Sequence, residues 1–255
     1  MNDSDEAAFL KAYDPEAFPR PSLAVDVALV TAHEARLKVL MLQREAQPFR
    51  GRWSLPGGFV ALDESLDDAA RRVLRDKGGL DGVYLEQLYT FGAPDRDPRT
   101  RVISVAYFAL VDHARLVAAV ESSSDRSAEP IAVASLDVPW PDEVPPAGAG
   151  PIALRRDDGE ALPIAFDHAD VLAVLVQRLR GKLDYAALGF QLLPDRFTLR
   201  QLQDVHEVVL ARPLNKDSFR RRVLASGLVA ATGERETDVV HRPAELYRFV
   251  RPSGV

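Results

Sequence analysis

Two groups of side chains in this sequence have the types and spacing for chemistry on phosphate. Arg96, Asp97 and Arg99 lie together in the run Phe91-Gly92-Ala93-Pro94-Asp95-Arg96-Asp97-Pro98-Arg99, a short way before Tyr107. Guanidinium groups offer paired N–H donors that match a diphosphate, and a carboxylate beside them accepts a ribose hydroxyl. Arg44 and the stretch from Trp53 to Glu64, in which the pair Gly57-Gly58 precedes Phe59, extend this group into a phosphate-friendly pocket. The second group is Lys216, Ser218, Arg220, Arg221 and Arg222, with Thr198 upstream and His241 and Arg242 downstream. Basic side chains at this density suit nucleic-acid phosphates and base edges. Each group also has a plainer reading. The first can be a surface loop with solvated charges, the second an ordinary basic helix face.

The elements that must hold these residues are legible in part. After the glycine loop, Asp63 and Glu64 open a helix with Asp67 and Asp68 in its first turns. Arg71, Arg72, Arg75 and Lys77 follow toward its far end, where the helix dipole favours cations, and Gly78-Gly79 stops it. Leu66, Ala69, Ala70, Val73 and Leu74 make one apolar stripe. Upstream, Leu23 to Val30 alternates as a strand and Lys38 to Gln43 reads as a buried one. Downstream, strands are expected over 84–88 and 101–110. Pro139 to Pro151 is a loop by composition, and a helix starts at Asp167 and runs toward Tyr185.

The last quarter has its own plan. Thr198-Leu199-Arg200-Gln201 is a capping box, with Phe197 and Leu202 as its hydrophobic staple. That helix turns Leu199, Leu202, Val205 and Val209 inward. A second helix, capped by Asn215 and closed by Gly227, buries Phe219, Val223 and Leu224. Leu228–Thr232, a turn at Gly233, and Leu246–Val250 then read as a hairpin. Two helices across a short turn followed by a hairpin is the plan of a winged helix-turn-helix. The expected division is an arm over 1–22, irregular because of Pro15, Pro19 and Pro21, a body over 23–190, and a small domain over 191–255.

Composition sets outer limits. At 255 residues the chain exceeds one typical domain, and 47% hydrophobic residues are ample for a core. Net charge is −6, but from Pro194 onward eleven Lys and Arg face eight Asp and Glu, which leaves −9 on the rest. A mildly basic tail on an acidic body suits a small domain that touches phosphate. With no cysteine there is no disulfide, thiolate metal site or thiol nucleophile. The five histidines lack metal-like spacing, and His168 and His206 read as cap or packing residues. An acidic start and the lack of a long apolar run argue for a cytoplasmic protein with no membrane span.

Gly58, Glu64, Arg72, Leu74, Gly79 and Leu80 resemble the Nudix box, the signature of the Nudix hydrolases. The upstream wording Pro48-Phe49-Arg50-Gly51-Arg52-Trp53-Ser54-Leu55-Pro56 is similar to what precedes that box. The resemblance implies an α/β/α sandwich with a mixed sheet, and a Glu64–Arg72 brace between loop and helix. In the family three late glutamates hold magnesium for diphosphate cleavage; here those positions carry Val73, Asp76 and Lys77. Valine is no ligand and lysine is a cation, so neither metal, cofactor nor catalytic residue is expected. With its C-terminal plan, the whole chain resembles the Nudix-related transcriptional regulators, which include ADP-ribose-responsive repressors of NAD metabolism. Family-like phrases are Phe197-Thr198-Leu199-Arg200-Gln201-Leu202-Gln203, Asn215 to Arg222, and His241 to Phe249. The resemblance implies a homodimer that binds a palindromic operator and senses ADP-ribose or a related phosphorylated metabolite. The rival reading is an active ADP-ribose pyrophosphatase with an accessory domain. A third, a bare protein-interaction module, explains neither basic group.

Overall fold

The computed structural model describes residues 3–14, 16–124, 129–137, 152–183, 186–237 and 242–250. Its centre is β1 (Ser22–His33), whose Val25 to Val30 are all buried because the strand is covered on both faces. It pairs antiparallel with β2 (Arg36–Gln43), β3 (Trp53–Ser54) joins β2, and β4 (Gly57–Phe59) joins β1. After α2 (Leu66–Gly78) come β5 (Tyr84–Phe91), β6 (Val102–Leu110), α3 (His113–Ser124), β7 (Ile131–Asp137) and β8 (Ala153–Arg155). The strand order is β5-β6-β1-β2-β7-β8, with β1 and β6 parallel and the other pairs antiparallel.

Strand alternation sorts the side chains into two cores. Val25, Val27, Leu29, Leu40 and Leu42 point to one face, under Ala69, Ala70, Val73 and Leu74 of α2 and Leu116 of α3. Ala28, Val30, Val39 and Met41 point to the other, under α4 (His168–Lys182). Val171, Leu172, Leu175, Val176 and Leu179 of α4 are fully or almost fully buried, each contributing about 1.5–3 kcal/mol relative to exposure. The result is the expected α/β/α sandwich with a mixed sheet.

A 3₁₀ turn, Ala187–Leu192, leads to α5 (Leu199–Leu210), α6 (Lys216–Ala225) and the hairpin β9 (Val229–Arg235) and β10 (Glu245–Phe249). The Thr198–Gln201 capping box is fully formed, and Asn215 caps α6 by accepting the Ser218 amide. Phe197, Leu199, Leu202, Phe219, Val223 and Tyr247 make a small core of their own. Phe197 and Tyr247 exchange backbone hydrogen bonds, which adds a third strand segment to the wing.

Several sequence expectations need correction. The arm carries a helix, α1 (Asp3–Ala12); every proline in it lies beyond that helix. Asp63 and Glu64 precede α2 rather than open it, because Ser65 is the N-cap, accepting the Asp68 amide. The helix from Asp167 ends at Lys182, and Asp167 makes no cap bond; Tyr185 lies outside the described residues. Leu224 is 44% exposed, so α6 buries only Phe219 and Val223. Gly233 lies within β9, at a register shift with φ of +80°, rather than at the hairpin turn. The boundary drawn at 190/191 falls inside the 3₁₀ turn, and the expected loop over 139–151 lies outside the described residues.

Candidate functional site

A cleft of about 260 Å³ opens where β1, the end of β2, the glycine loop, the β5–β6 loop and the start of α4 converge. Of the expected ligand residues, the fold brings together Arg44, Gly57, Gly58, Phe59, Arg96, Asp97 and Arg99. It adds Asp26, Ser54, Lys77, Glu129, Phe166 and His168.

Asp26 is the buried anchor of the cleft. Its carboxylate accepts from the Ser104 hydroxyl at 2.5 Å and from Arg96 at 3.3 Å, with His168 Nε2 3.5 Å away. Burial alone would raise this carboxyl; His168, Ser104 and Arg96 outweigh it and hold it at about 2. The Leu55 amide donates to His168 Nδ1 at 2.9 Å, so the ring proton sits on Nε2, toward Asp26. Arg96 also donates twice to Asp167, at 2.8 and 2.7 Å, which explains why that residue makes no cap bond. Arg99 donates to both oxygens of Asp97 and lies over the Phe59 ring at 5.9 Å.

Arg96 and Asp97 are therefore partnered by the protein itself, and shape the cleft more than they face a ligand. Arg44 differs: its Nε donates to the Pro48 carbonyl and its guanidinium lies 4.7 Å over the Phe166 ring.

The helix positions of the Nudix box are now visible as contacts. Arg72 donates twice to Glu64, at 2.7 and 2.8 Å, and once to the Phe59 carbonyl, so the brace between loop and helix exists. Val73 is 1% exposed and packs into the core beneath Gly58. Asp76 is exposed, and the Lys77 ammonium donates to the Gly57 carbonyl at 2.8 Å. Among the described residues, no group of three or more His, Asp or Glu is placed to hold a metal. One exposed carboxylate, a valine and an ammonium do not fit magnesium, which requires hard oxygen ligands.

At the far end of the chain, Lys216, Ser218, Arg220, Arg221 and Arg222 of α6 are exposed, as is Arg242 in the link between β9 and β10. Arg222 lies over the Phe219 ring at 5.6 Å. His241 lies outside the described residues. Thr198 is 4% exposed and its hydroxyl serves the α5 cap, which places it in the fold rather than on the basic face.

Comparison with known proteins decides the family. The NUDIX domain model matches residues 20–147, and the NrtR DNA-binding winged helix domain model matches 189–249. The ADPR responsive transcriptional repressor NtrR of Acinetobacter baylyi is 35% identical over 251 residues, 98% of this chain and 90% of that protein. The chain belongs to the NrtR family. A crystal structure of Shewanella oneidensis NrtR complexed with a 27mer DNA superposes with a TM-score of 0.70 at 35% identity, covering 89% of this chain and 93% of that one. The ADP-ribose pyrophosphatase of Methanocaldococcus jannaschii is 36% identical over 98 residues, 38% of this chain and 54% of that enzyme.

Within this NrtR-family fold, three expected ligand residues lie off the cleft. Trp53 is 2% exposed, packed into the α4-side core beneath the Arg156 guanidinium. Tyr107 alternates onto the α2 face, where its hydroxyl donates to Asp67 at 2.6 Å. Glu64 is turned to Arg72. Conversely, Asp26 has a signal in the sequence: a lone carboxylate inside the apolar run Ala24-Val25-Asp26-Val27-Ala28 must have a buried partner. Phe166 and His168 had none, because only the tertiary fold brings them to β1. A larger hollow, of about 1420 Å³, separates the β1–β2 turn from α5. Several of its arginines are matched by its own carboxylates, Arg200 by Asp204 and Arg155 by Asp137, so size alone does not make it the ligand site.

Proposed function

We propose that this protein is a transcriptional repressor. A homodimer binds a palindromic operator through α6 and the wing, and releases it when ADP-ribose, or a metabolite close to it, enters the Nudix cleft. The observation that carries the reading is the place of α4: its first residues, Asp167 and His168, belong to the cleft network around Arg96 and Asp26. Near its other end Arg180 donates to the Val209 carbonyl of α5. A ligand that shifts one end of this helix acts on the DNA-binding helices at the other. We infer also that the cleft binds its ligand without turning it over, since Val73 and Lys77 remove the charge clamp on which metal-assisted cleavage depends.

Calorimetry with ADP-ribose, in the presence and absence of operator DNA, tests the switch. Linkage requires the operator to weaken ADP-ribose binding by the factor with which ADP-ribose weakens operator binding, roughly 5–150-fold. Equal ADP-ribose affinity in both conditions rules the switch out, however tight the binding. Incubation with ADP-ribose and Mg²⁺ or Mn²⁺, with AMP quantified, tests the second half; turnover in the ordinary enzyme range of about 1–10³ s⁻¹ sinks it.

A further inference from the structure

We propose that Lys77 takes the place of the divalent cation in this cleft, so that, with Arg44, it binds the ligand's diphosphate directly and without metal. The inference rests on the reading of the cleft as a diphosphate site and goes beyond it by naming what carries the charge.

The partners of each cation single out these two. Arg96 is tied to Asp26 and Asp167, and Arg99 to Asp97. Among the described residues Lys77 makes one side-chain hydrogen bond, to the Gly57 carbonyl, out of its three N–H donors. Arg44 spends only Nε, on the Pro48 carbonyl. Both line the cleft, where Arg44 also feels the charges of Glu129 and Asp97. An ammonium with spare donors at the rim of the cleft, with a guanidinium on the same lining, can receive the oxygens of a phosphate group.

The Lys77 anchor is also built. A Cβ at Gly57 would stand 2.2 Å from Asp26 Oδ1 and 3.0 Å from the Val25 carbonyl, so only glycine lets this strand lie so close to β1. The Gly57 carbonyl is thereby fixed, and it holds the ammonium at the rim of the cleft. Val73, one turn back on α2, packs its methyl group against Gly58 and supplies no oxygen. At the box positions on α2 a magnesium ion would meet an ammonium of its own sign and the one exposed carboxylate of Asp76. Phosphate oxygens meet the ammonium itself, as a point charge with rotatable donors.

The test is calorimetry on the full chain with ADP-ribose and, separately, inorganic pyrophosphate, each in EDTA and in excess Mg²⁺. Wild type is expected to bind both ligands equally well in the two buffers. Lys77→Met should weaken both by roughly 10–100-fold in EDTA, the worth of a charge-assisted hydrogen bond. Lys77→Glu should bind neither in EDTA and regain part of the affinity with Mg²⁺. Lys77 is exposed, so both variants should melt as wild type does, which circular dichroism checks. Unchanged affinity in Lys77→Met, or wild-type binding that collapses in EDTA, overturns the proposal. ADP-ribose binding that requires Mg²⁺ but still releases operator overturns it alone and leaves the repressor reading standing. Pyrophosphate binding through Lys77 without ADP-ribose binding upholds it and sinks the choice of effector. Binding of neither ligand ends both.

Discussion

Arg96 reaches 71 positions along the chain to grip Asp167 with two hydrogen bonds, at the residue where α4 begins. The same guanidinium touches Asp26 on β1, so the floor of the cleft and the start of the helix share one buried cation. Anything that rearranges Arg96 is felt at α4.

Asp167→Asn keeps the size of the side chain and removes its charge. ADP-ribose and operator are each expected to bind close to wild-type strength, while the coupling between them falls toward none from its range of about 5–150-fold. Calorimetry with and without operator measures both quantities on the same protein. Full coupling in the variant would show that the Arg96–Asp167 pair carries no signal.

Acid should weaken the body through two carboxylates. Asp26 is held at about 2 by His168, Ser104 and Arg96 against the pull of burial, and Glu64 at about 2 by the Arg72 hydrogen bond first. Both values lie below those of an unfolded chain, near 4. The stabilisation is therefore full above about pH 4 and is lost as pH falls toward 2. Urea midpoints measured from pH 6 down to pH 2 should drop across that window, and Asp26→Asn should flatten part of the slope. A slope identical to wild type would contradict the assignment.

On the DNA side, losing different cations should have different signatures. Lys216→Ala is expected to weaken binding to every sequence and reduce the salt slope by about one unit. Arg221→Ala, if its guanidinium meets a base edge, costs ~1–3 kcal/mol and relaxes one operator position. Arg222→Ala should matter less for operator affinity, because that side chain already covers Phe219. Fluorescence anisotropy at several salt concentrations separates the three. A triple alanine variant of Arg220, Arg221 and Arg222 that binds as wild type refutes the placement of α6.

Phe219→Ala should part the two activities. The ring is 3% exposed in the small C-terminal core, and truncating a buried phenylalanine costs about 3–5 kcal/mol. Operator binding should fail while ADP-ribose binding by the cleft persists. Loss of both at once would mean that the two regions fold as one unit.

What the sequence revealed follows from how local the causes were. The α2 stripe, the Thr198 capping box and the Asn215 cap depend on residues within one or two turns of each other, and all three are present as read. The elements α3, β7 and β8 were not anticipated. Ile131-Ala132-Val133-Ala134-Ser135 is short and alanine-rich, so its alternation is faint until β2 supplies the pairing. Trp53 and Tyr107 were placed in the cleft by residue type, and strand geometry turned both into the cores instead. Arg96 and Asp97 line the cleft, but their partners Asp167 and Arg99 could be assigned only from the fold.

The helix α5 belongs to two cores at once. Leu199 and Leu202 pack with Phe219 and Tyr247, while Val205, Val209 and Leu210 pack with Leu172 and Leu175 beneath the sheet. The winged helix is thus bolted to the sensing body, without a slack tether between them. In a dimer the two bodies then act as a ruler, and the distance between recognition helices is inherited from how the bodies meet. Inserting two base pairs between operator half-sites would rotate one against the other by roughly 70°, at about 10–10.5 base pairs per turn. A loosely tethered reading head would absorb that twist; this one has to bend the DNA or let go of a half-site.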